Sequence, residues 1–224
     1  MLSAVIVAWN EEVAIARCLA SLKGWVDEVV VVVDKATTDK TAQVARSHGA
    51  RVYFHDHTGI VEPMRNFALA KAKGEWILLL DADEVVPVSL QALIKRSLNS
   101  SVHVFRLPRK NIIFGRWITN AHWWPDYVYR LFKKGAVIWD DAIHSHPHVT
   151  GEVVDLPATE DSALIHYNYQ TISQYIDRLN RYTDFQSGPG HQFHWTDTIK
   201  KPGQEFLSQY FARSGYKDGF HGLA

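Results

Sequence analysis

The sequence predicts an α/β fold with a mostly parallel central sheet flanked by helices, on three observations. Four apolar or β-branched runs recur at residues 2–8, 26–33, 51–54 and 75–80. The stretches between them carry helical spacing and close on glycine. Two of the runs finish on aspartate, Asp34 and Asp81, at the carboxyl ends of strands where ligands of such sheets bind.

Each element has its own justification. "LSAVIVA" is a short apolar run with no basic stretch before it, so it reads as a first core strand and not as a signal peptide. In "NEEVAIARCLASLKGW", Ile15, Leu19 and Leu22 fall at i, i+4 and i+7, Asn10 suits an N-cap and Gly24 a C′ stop. "VVVVV" at 29–33 is far too short to span a bilayer. It suits a parallel strand covered on both faces. "TTDKTAQVARSHGA" gives a polar cap, a short helix and a stop at Gly49. "EPMRNFALAKAKGEW" gives a third helix closed by Gly74, and "WILLLDADE" the fourth strand. Past about residue 100 aromatics crowd in, "HSHPH" clusters histidines, and "TISQYIDRLNRYTDF" forms an amphipathic helix. The expected organisation is a nucleotide-type α/β half over 1–100 and a more irregular half with C-terminal helices over 101–224 that closes the site, within one domain.

An apolar content of 46% over 224 residues supports a substantial core. Lys plus Arg and Asp plus Glu both number 24, so no basic field recruits nucleic acid. The single cysteine, Cys18, excludes a disulfide framework and a thiolate metal site. These features fit a cytoplasmic protein with, at most, a peripheral contact on the inner face of a membrane. Lys200 and Lys201 beside Trp195, ahead of Phe206, Tyr210 and Phe211, suit such an interface.

The most informative stretch is "GEWILLLDADEVVP", where a buried strand opens onto Asp81, Asp83 and Glu84. Adjacent carboxylates repel one another, and a cation among them relieves the repulsion. The first strand ends on Trp9, Asn10, Glu11 and Glu12 in place of the glycines of a dinucleotide site. Two glutamates there would repel phosphate, so the diphosphate must be neutralised elsewhere. Asp81 and Asp83, two apart on an extended segment, point the same way. One is expected to accept from a ribose hydroxyl, the other to hold a hard divalent ion bridging two phosphates. Glu84 reads as a turn or helix residue.

"AVIVAWNEE", "VVVDKATTDKT", "MRNFALAKAKGEWILLLDADE" and "YVYRLFKKG" resemble, in order and spacing, the blocks of family 2 glycosyltransferases with the GT-A fold, above all bacterial enzymes of lipopolysaccharide-core type. The resemblance implies an inverting transferase that uses a nucleotide-diphosphate sugar, expected to be a UDP-sugar, a glycan or glycolipid acceptor, and Mn²⁺ or Mg²⁺. Carried over by position, Val7 and Ala8 line the base through their backbone, Glu11 lies near the nucleoside, Asp34 reads the base, Arg65 and Ala82 lie near the nucleotide, Asp81 contacts the ribose, and Asp83 binds the metal. Where many relatives have a His-Glu pair, this chain has His144 and Ser145. The second block has Ala36 and Thr37 in place of Gly and Ser.

For the catalytic base the resemblance implies Asp126, four residues before Arg130 at the acidic position preceding the Arg-Leu pair, with His144 as its rival and Asp140 or Asp141 behind them. By the same resemblance His144 is a candidate for completing a metal shell, with His166 its competitor there. Trp123 and Trp124 are candidates for an acceptor platform, since sugar C–H faces stack on indoles; the alternative for any large aromatic is the core. Two other functions compete. A Mg²⁺-dependent aspartyl phosphohydrolase also starts from a strand ending in Asp-x-Asp, and "VIWDD" would mimic its distal acidic pair. A nucleotide-sugar-binding module without turnover is the non-enzymatic alternative.

Overall fold

The computed structural model describes residues 1–59, 62–139, 147–186 and 195–223. The alternation expected for the first 81 residues is present: β1 (Leu2–Ala8), α1 (Glu12–Leu22), β2 (Glu28–Asp34), α2 (Thr41–Ser47), β3 (Arg51–His55), α3 (Glu62–Lys71) and β4 (Trp76–Asp81). There follow β5 (Glu84–Val85), α4 (Val88–Ser97), β6 (Val104–Ile113), β7 (Arg116–Trp117), β8 (Asp126–Lys133), β9 (Val137–Ile138), β10 (His148–Val149), β11 (Val153–Asp155) and β12 (Leu164–Tyr169). The chain then turns helical in α5 (Ile172–Gln186), α6 (Trp195–Leu207) and α7 (Phe220–Leu223).

The main sheet runs in the order β3-β2-β1-β4-β8-β6-β12-β5. β1 lies between β2 and β4 and is parallel to both, and β3 is parallel to β2. The strand order therefore reverses at β1, which makes the carboxyl ends of β1, β2 and β4 the switch point where α/β sheets hold ligands. β8 joins β4 in antiparallel register, Leu78 opposite Leu131, and carries its own side chains to that end of β4.

Two compact units make up the chain: Met1–Arg109 with Tyr127–His166, and Lys110–Asp126 with Tyr167–Ala224. In the first, the period-2 alternation of β1 divides the core between the two faces of the sheet. Leu2, Ala4, Ile6 and Ala8 pack with Ile15, Cys18, Leu19 and Leu22 of α1 and with Leu90 and Ile94 of α4. Val5 and Val7 pack with Met64 and Ala68 of α3 and with Ala72 just after it. Because helices cover both faces, Val30 to Val33 are all fully buried, and so β2 reads as an unbroken apolar run.

The helix stops fall as expected at Gly24 and Gly49, whose φ of +80° and +81° suit a residue without a side chain. Gly74 has a different reason. A Cβ there would stand 2.7 Å from Ser3 Oγ and 2.8 Å from Met1 O. The glycine lets the chain enter β4 against the start of β1, and its N–H donates to Ser3 Oγ at 2.8 Å. Ser3 in turn donates to Glu28 at 2.6 Å, a carboxylate that also accepts from Lys73 N and Arg51. The end of the sheet opposite the switch point is thus tied together by one glutamate.

The second unit holds a hairpin, the far half of β6 with β7, in which Ile112 faces Trp117. Phe114 and Gly115 turn it with positive φ at both positions, as a two-residue hairpin loop requires. Asp218 clips the C-terminal segment to this region: its carboxylate accepts from Asn120 N at 2.9 Å and Thr119 Oγ1 at 3.2 Å. On α5, Ile172, Tyr175, Ile176 and Leu179 recur at i, i+3, i+4 and i+7, and all four are exposed. Among the described residues no helix is long and apolar enough to cross a membrane.

Candidate active site

The loops after β1 and β2 are laced together at the first turn of α1. Glu12 N donates to Asp39 at 3.0 Å and Glu11 N to Thr41 Oγ1 at 2.8 Å. In return Lys40 N donates to the Glu12 carboxylate at 2.9 Å. Two of the N–H groups at this helix start, where a phosphate can bind, are thus taken by side chains of "TTDKT". Asp39 is itself held below the usual carboxylate range: burial pushes it up, but the hydrogen bonds from Thr41 and Glu12 N outweigh that. Asn10, expected to cap α1, sits at positive φ and instead accepts from Thr38 N at 2.8 Å. It fastens the second loop to the first.

At the end of β4 the three carboxylates separate. The strand stops at Asp81, Ala82 and Asp83 form a turn, and β5 begins at Glu84. The extended geometry that would aim Asp81 and Asp83 at one ligand is therefore lost. Asp81 is bonded by Arg130, and Arg65 Nη2 stands 3.7 Å from its other oxygen. Glu84, fully buried, accepts from Arg130 Nη2 at 2.8 Å and lies 3.5 Å from Arg109 Nη1. Its second oxygen accepts from Asp81 N at 2.9 Å and closes the turn. Asp83 faces His166 Nε2 at 3.4 Å. The register of β12 on β5 places His166 directly opposite Glu84, which brings its ring to Asp83.

The repulsion read from the sequence is thus offset within the protein by guanidinium groups. Burial would raise the Asp81 carboxyl, but Arg130, then Arg65, Arg109 and His166, hold it well below the usual carboxylate range. Burial would likewise lower Arg130; the Asp81 and Glu84 carboxylates more than reverse this and keep it charged. Cys18 lies beneath, its Sγ 3.8 Å from Asp81 O. Burial, then Glu84, Asp83 and Asp81, push its thiol well up, so it is an inert core residue.

Of the other expected site residues, Val7, Ala8 and Ala82 are buried, with Val7 paired between Val32 and Asp81 and only backbone available to a ligand. Glu11 is half-buried in the laced loop. Asp34 is 1% exposed; Oδ1 accepts from Ala36 N at 2.7 Å and Oδ2 lies 2.9 Å from His57 Nδ1. Arg65 also lies over Trp139, 5.9 Å from the ring centroid. In the second unit Asp126 accepts from Asn111 Nδ2 at 2.9 Å. There Trp124 stands edge-on to Trp117 at 5.1 Å, and Trp123 is half-buried. His144, Asp140 and Asp141 lie outside the described residues, as does the side chain of Trp195.

Glu84, Arg130, Arg109, Asp39 and His57 were not legible as site residues in isolation. For Arg130 the signal was present: a cation inside "YVYRLF" demands a buried partner.

Among the described residues no three His, Cys, Asp or Glu side chains converge as metal ligands. The donor chemistry at Asp83 and His166 is nonetheless compatible with a divalent ion. One carboxylate and one imidazole nitrogen are donors that suit a divalent ion such as Mn²⁺.

The architecture is shared with solved glycosyltransferases. The crystal structure of Staphylococcus aureus TarS 1–349 superposes with a TM-score of 0.55 at 16% identity, over 92% of this chain and 80% of that one. Its complex with UDP gives 0.54 at 16% identity, over 97% and 75%. The fold is that of the GT-A glycosyltransferases. Residues 3–148 match the model of glycosyl transferase family 2, and the chain belongs to that family. An uncharacterized glycosyltransferase of Rickettsia bellii is 33% identical over 196 residues, 83% of this chain and 66% of that protein. The lipopolysaccharide core biosynthesis glycosyltransferase LpsC of Rhizobium meliloti is 26% identical over 237 residues, 99% of this chain and 85% of that protein. Family membership takes the place of the phosphohydrolase reading.

The charge cluster generates a stability prediction. Arg130→Met leaves Glu84 and Asp81 short of their buried cation and should lower unfolding free energy by roughly 3–5 kcal/mol, read by urea denaturation; a loss below about 1 kcal/mol would mean that the pairs are solvated. Because the folded Asp81 pKa is depressed, its contribution is present above about pH 4 and lost as pH falls further. Asp81→Asn should therefore flatten the acid limb of stability.

Proposed function

We propose that this chain moves a sugar from a nucleotide-diphosphate sugar, a UDP-sugar, to a hydroxyl of a glycan or glycolipid, inverting the anomeric centre. The observation that carries the reading is the carboxylate cluster at the switch point of a family 2 glycosyltransferase. Support for the donor comes from S. aureus TarS, which has been crystallised with UDP and with UDP-GlcNAc. Support for a lipopolysaccharide-type acceptor comes from the R. meliloti relative. Residues 1–100 would serve the donor and residues 101–224 the acceptor.

The proposed chemistry follows from the residues. The nucleoside lies over the ends of β1 and β2, with the Val7 and Ala8 backbone, Glu11, Asp34, Arg65 and Ala82 around it and with Asp81 by the ribose. The diphosphate lies away from the laced start of α1. Asp83 would hold Mn²⁺ or Mg²⁺, with His166 as second ligand and His144 as the alternative. A bound ion would offset the charge that grows on the leaving diphosphate. The acceptor hydroxyl attacks from the opposite face and Asp126, oriented by Asn111, takes its proton. Trp123 and Trp124 offer aromatic faces to the acceptor sugar.

A binding module without turnover is separated from an enzyme by two variants. Asp126→Asn should retain nucleotide and metal affinity while turnover falls by roughly 10²–10⁴; sugar transfer near the wild-type rate would move the base to His144. Asp83→Asn should lose metal-dependent nucleotide binding in calorimetry, and unchanged Mn²⁺ dependence would refute that assignment.

A peripheral membrane contact is part of the same proposal. The exposed apolar stripe of α5 and the exposed Phe206, Leu207 and Phe211 near exposed Lys200 and Lys201 suit an anionic interface. The protein should float with anionic liposomes at low salt and be released by high salt. Retention through a high-salt wash would contradict it.

A further inference from the structure

Asp34 was expected to read the nucleotide base directly, yet both of its oxygens are engaged inside the protein. Oδ1 accepts from Ala36 N, and Oδ2 faces His57 Nδ1 at 2.9 Å. A carboxylate can only accept, so Nδ1 must carry the ring proton. In the neutral imidazole this leaves Nε2 as a bare acceptor, fixed by its partner on the other nitrogen.

The ring is held in place from a second side. Trp9, the residue after β1, stands edge-to-face with it at 4.6 Å and an interplanar angle of 63°. His57 thus sits at the carboxyl ends of both β1 and β2, with its side chain 41% exposed. Among the described residues Nε2 has no hydrogen-bond partner. The neighbouring charges are turned elsewhere: Lys35 pairs with Asp56 at 2.6 Å, and His55 Nδ1 contacts Asp56 O.

Resting on the nucleotide-sugar reading above, we propose that His57 is the side chain that selects the base, and that Asp34 is a positioning residue acting through it. An acceptor held at Nε2 recognises a pyrimidine that presents a ring N–H, as N3–H of uracil does. It disfavours cytosine, whose N3 is itself an acceptor and would leave two lone pairs facing each other. Uracil and cytosine have the same size and the same ribose and diphosphate. Their ratio of affinities therefore isolates this contact.

The test is calorimetric titration of UDP and CDP at constant Mn²⁺ and pH 8. Wild type should prefer UDP by about tenfold or more. In His57→Gln the amide can turn to offer a donor or an acceptor, and the UDP:CDP ratio should fall toward one with the diphosphate still bound. In His57→Phe the ring remains without the acceptor, and the ratio should likewise collapse. In Asp34→Asn the amide can donate to Nδ1 and move the ring proton to Nε2, so the ratio should shift toward CDP. Loss of a purely structural residue would weaken both ligands together and leave the ratio unchanged. Each ratio is measured on one protein sample, so a partly folded variant does not distort it. A wild-type ratio retained in both His57 variants, or no preference in the wild type, overturns the proposal. Failure of wild type to bind either diphosphate would overturn the nucleotide-sugar reading beneath it.

Discussion

The structure turns on one buried guanidinium. Arg130 reaches from β8 to the end of β4 and bonds both Asp81 and Glu84. Glu84 is fully buried, and a carboxylate there without a cation would be strongly disfavoured. The antiparallel addition of β8 to β4 is what delivers the arginine, and the turn closed by Glu84 on Asp81 N is what gathers its partners. Arg65 and Arg109 complete a set of three guanidinium groups around two carboxylates, Asp81 and Glu84. The site is thus electrostatically assembled before any ligand arrives. The carboxylates need no metal to coexist, and a metal at Asp83 would be there for the diphosphate.

The first four strands and three helices were legible because their physics is local. Alternation in β1, the unbroken valines of β2 and the i, i+4, i+7 spacing of α1 each report burial on a known face. The site was legible only in outline. Asp34, Asp81 and Asp83 stood out as acids closing apolar runs, but their partners come from elements far along the chain: Arg130 about fifty residues later, His166 more than eighty. Asp39 and Thr41 look like a polar loop until the loop folds onto the start of α1 and takes its N–H groups. Gly74 reads as a helix stop, yet its reason lies in the close approach of Ser3, which only the tertiary structure brings. Asn10 was misread for the same reason, since its acceptor serves a loop twenty-eight residues away and not the helix beside it.

The two laced loops and the arginine-filled cluster lead to the same physical conclusion. At the N-terminus of α1, the usual place for a phosphate in a nucleotide fold, Asp39 accepts from Glu12 N, and Glu11 and Glu12 add negative charge. The basic groups at the end of β4 are engaged by carboxylates. Under the proposed reading, a nucleotide diphosphate arriving at this switch point would draw positive charge from a divalent ion.

That dependence is the central claim, and it is tested most directly by the affinity of the wild-type protein for UDP with and without a divalent cation. The account predicts binding with Mn²⁺ and its loss in EDTA, with thermal stabilisation of roughly 2.7 kcal/mol at a hundredfold excess over the dissociation constant only when the ion is present. Equal affinity in EDTA would contradict it and would mean that the arginines of the cluster let go of their carboxylates to meet the diphosphate themselves.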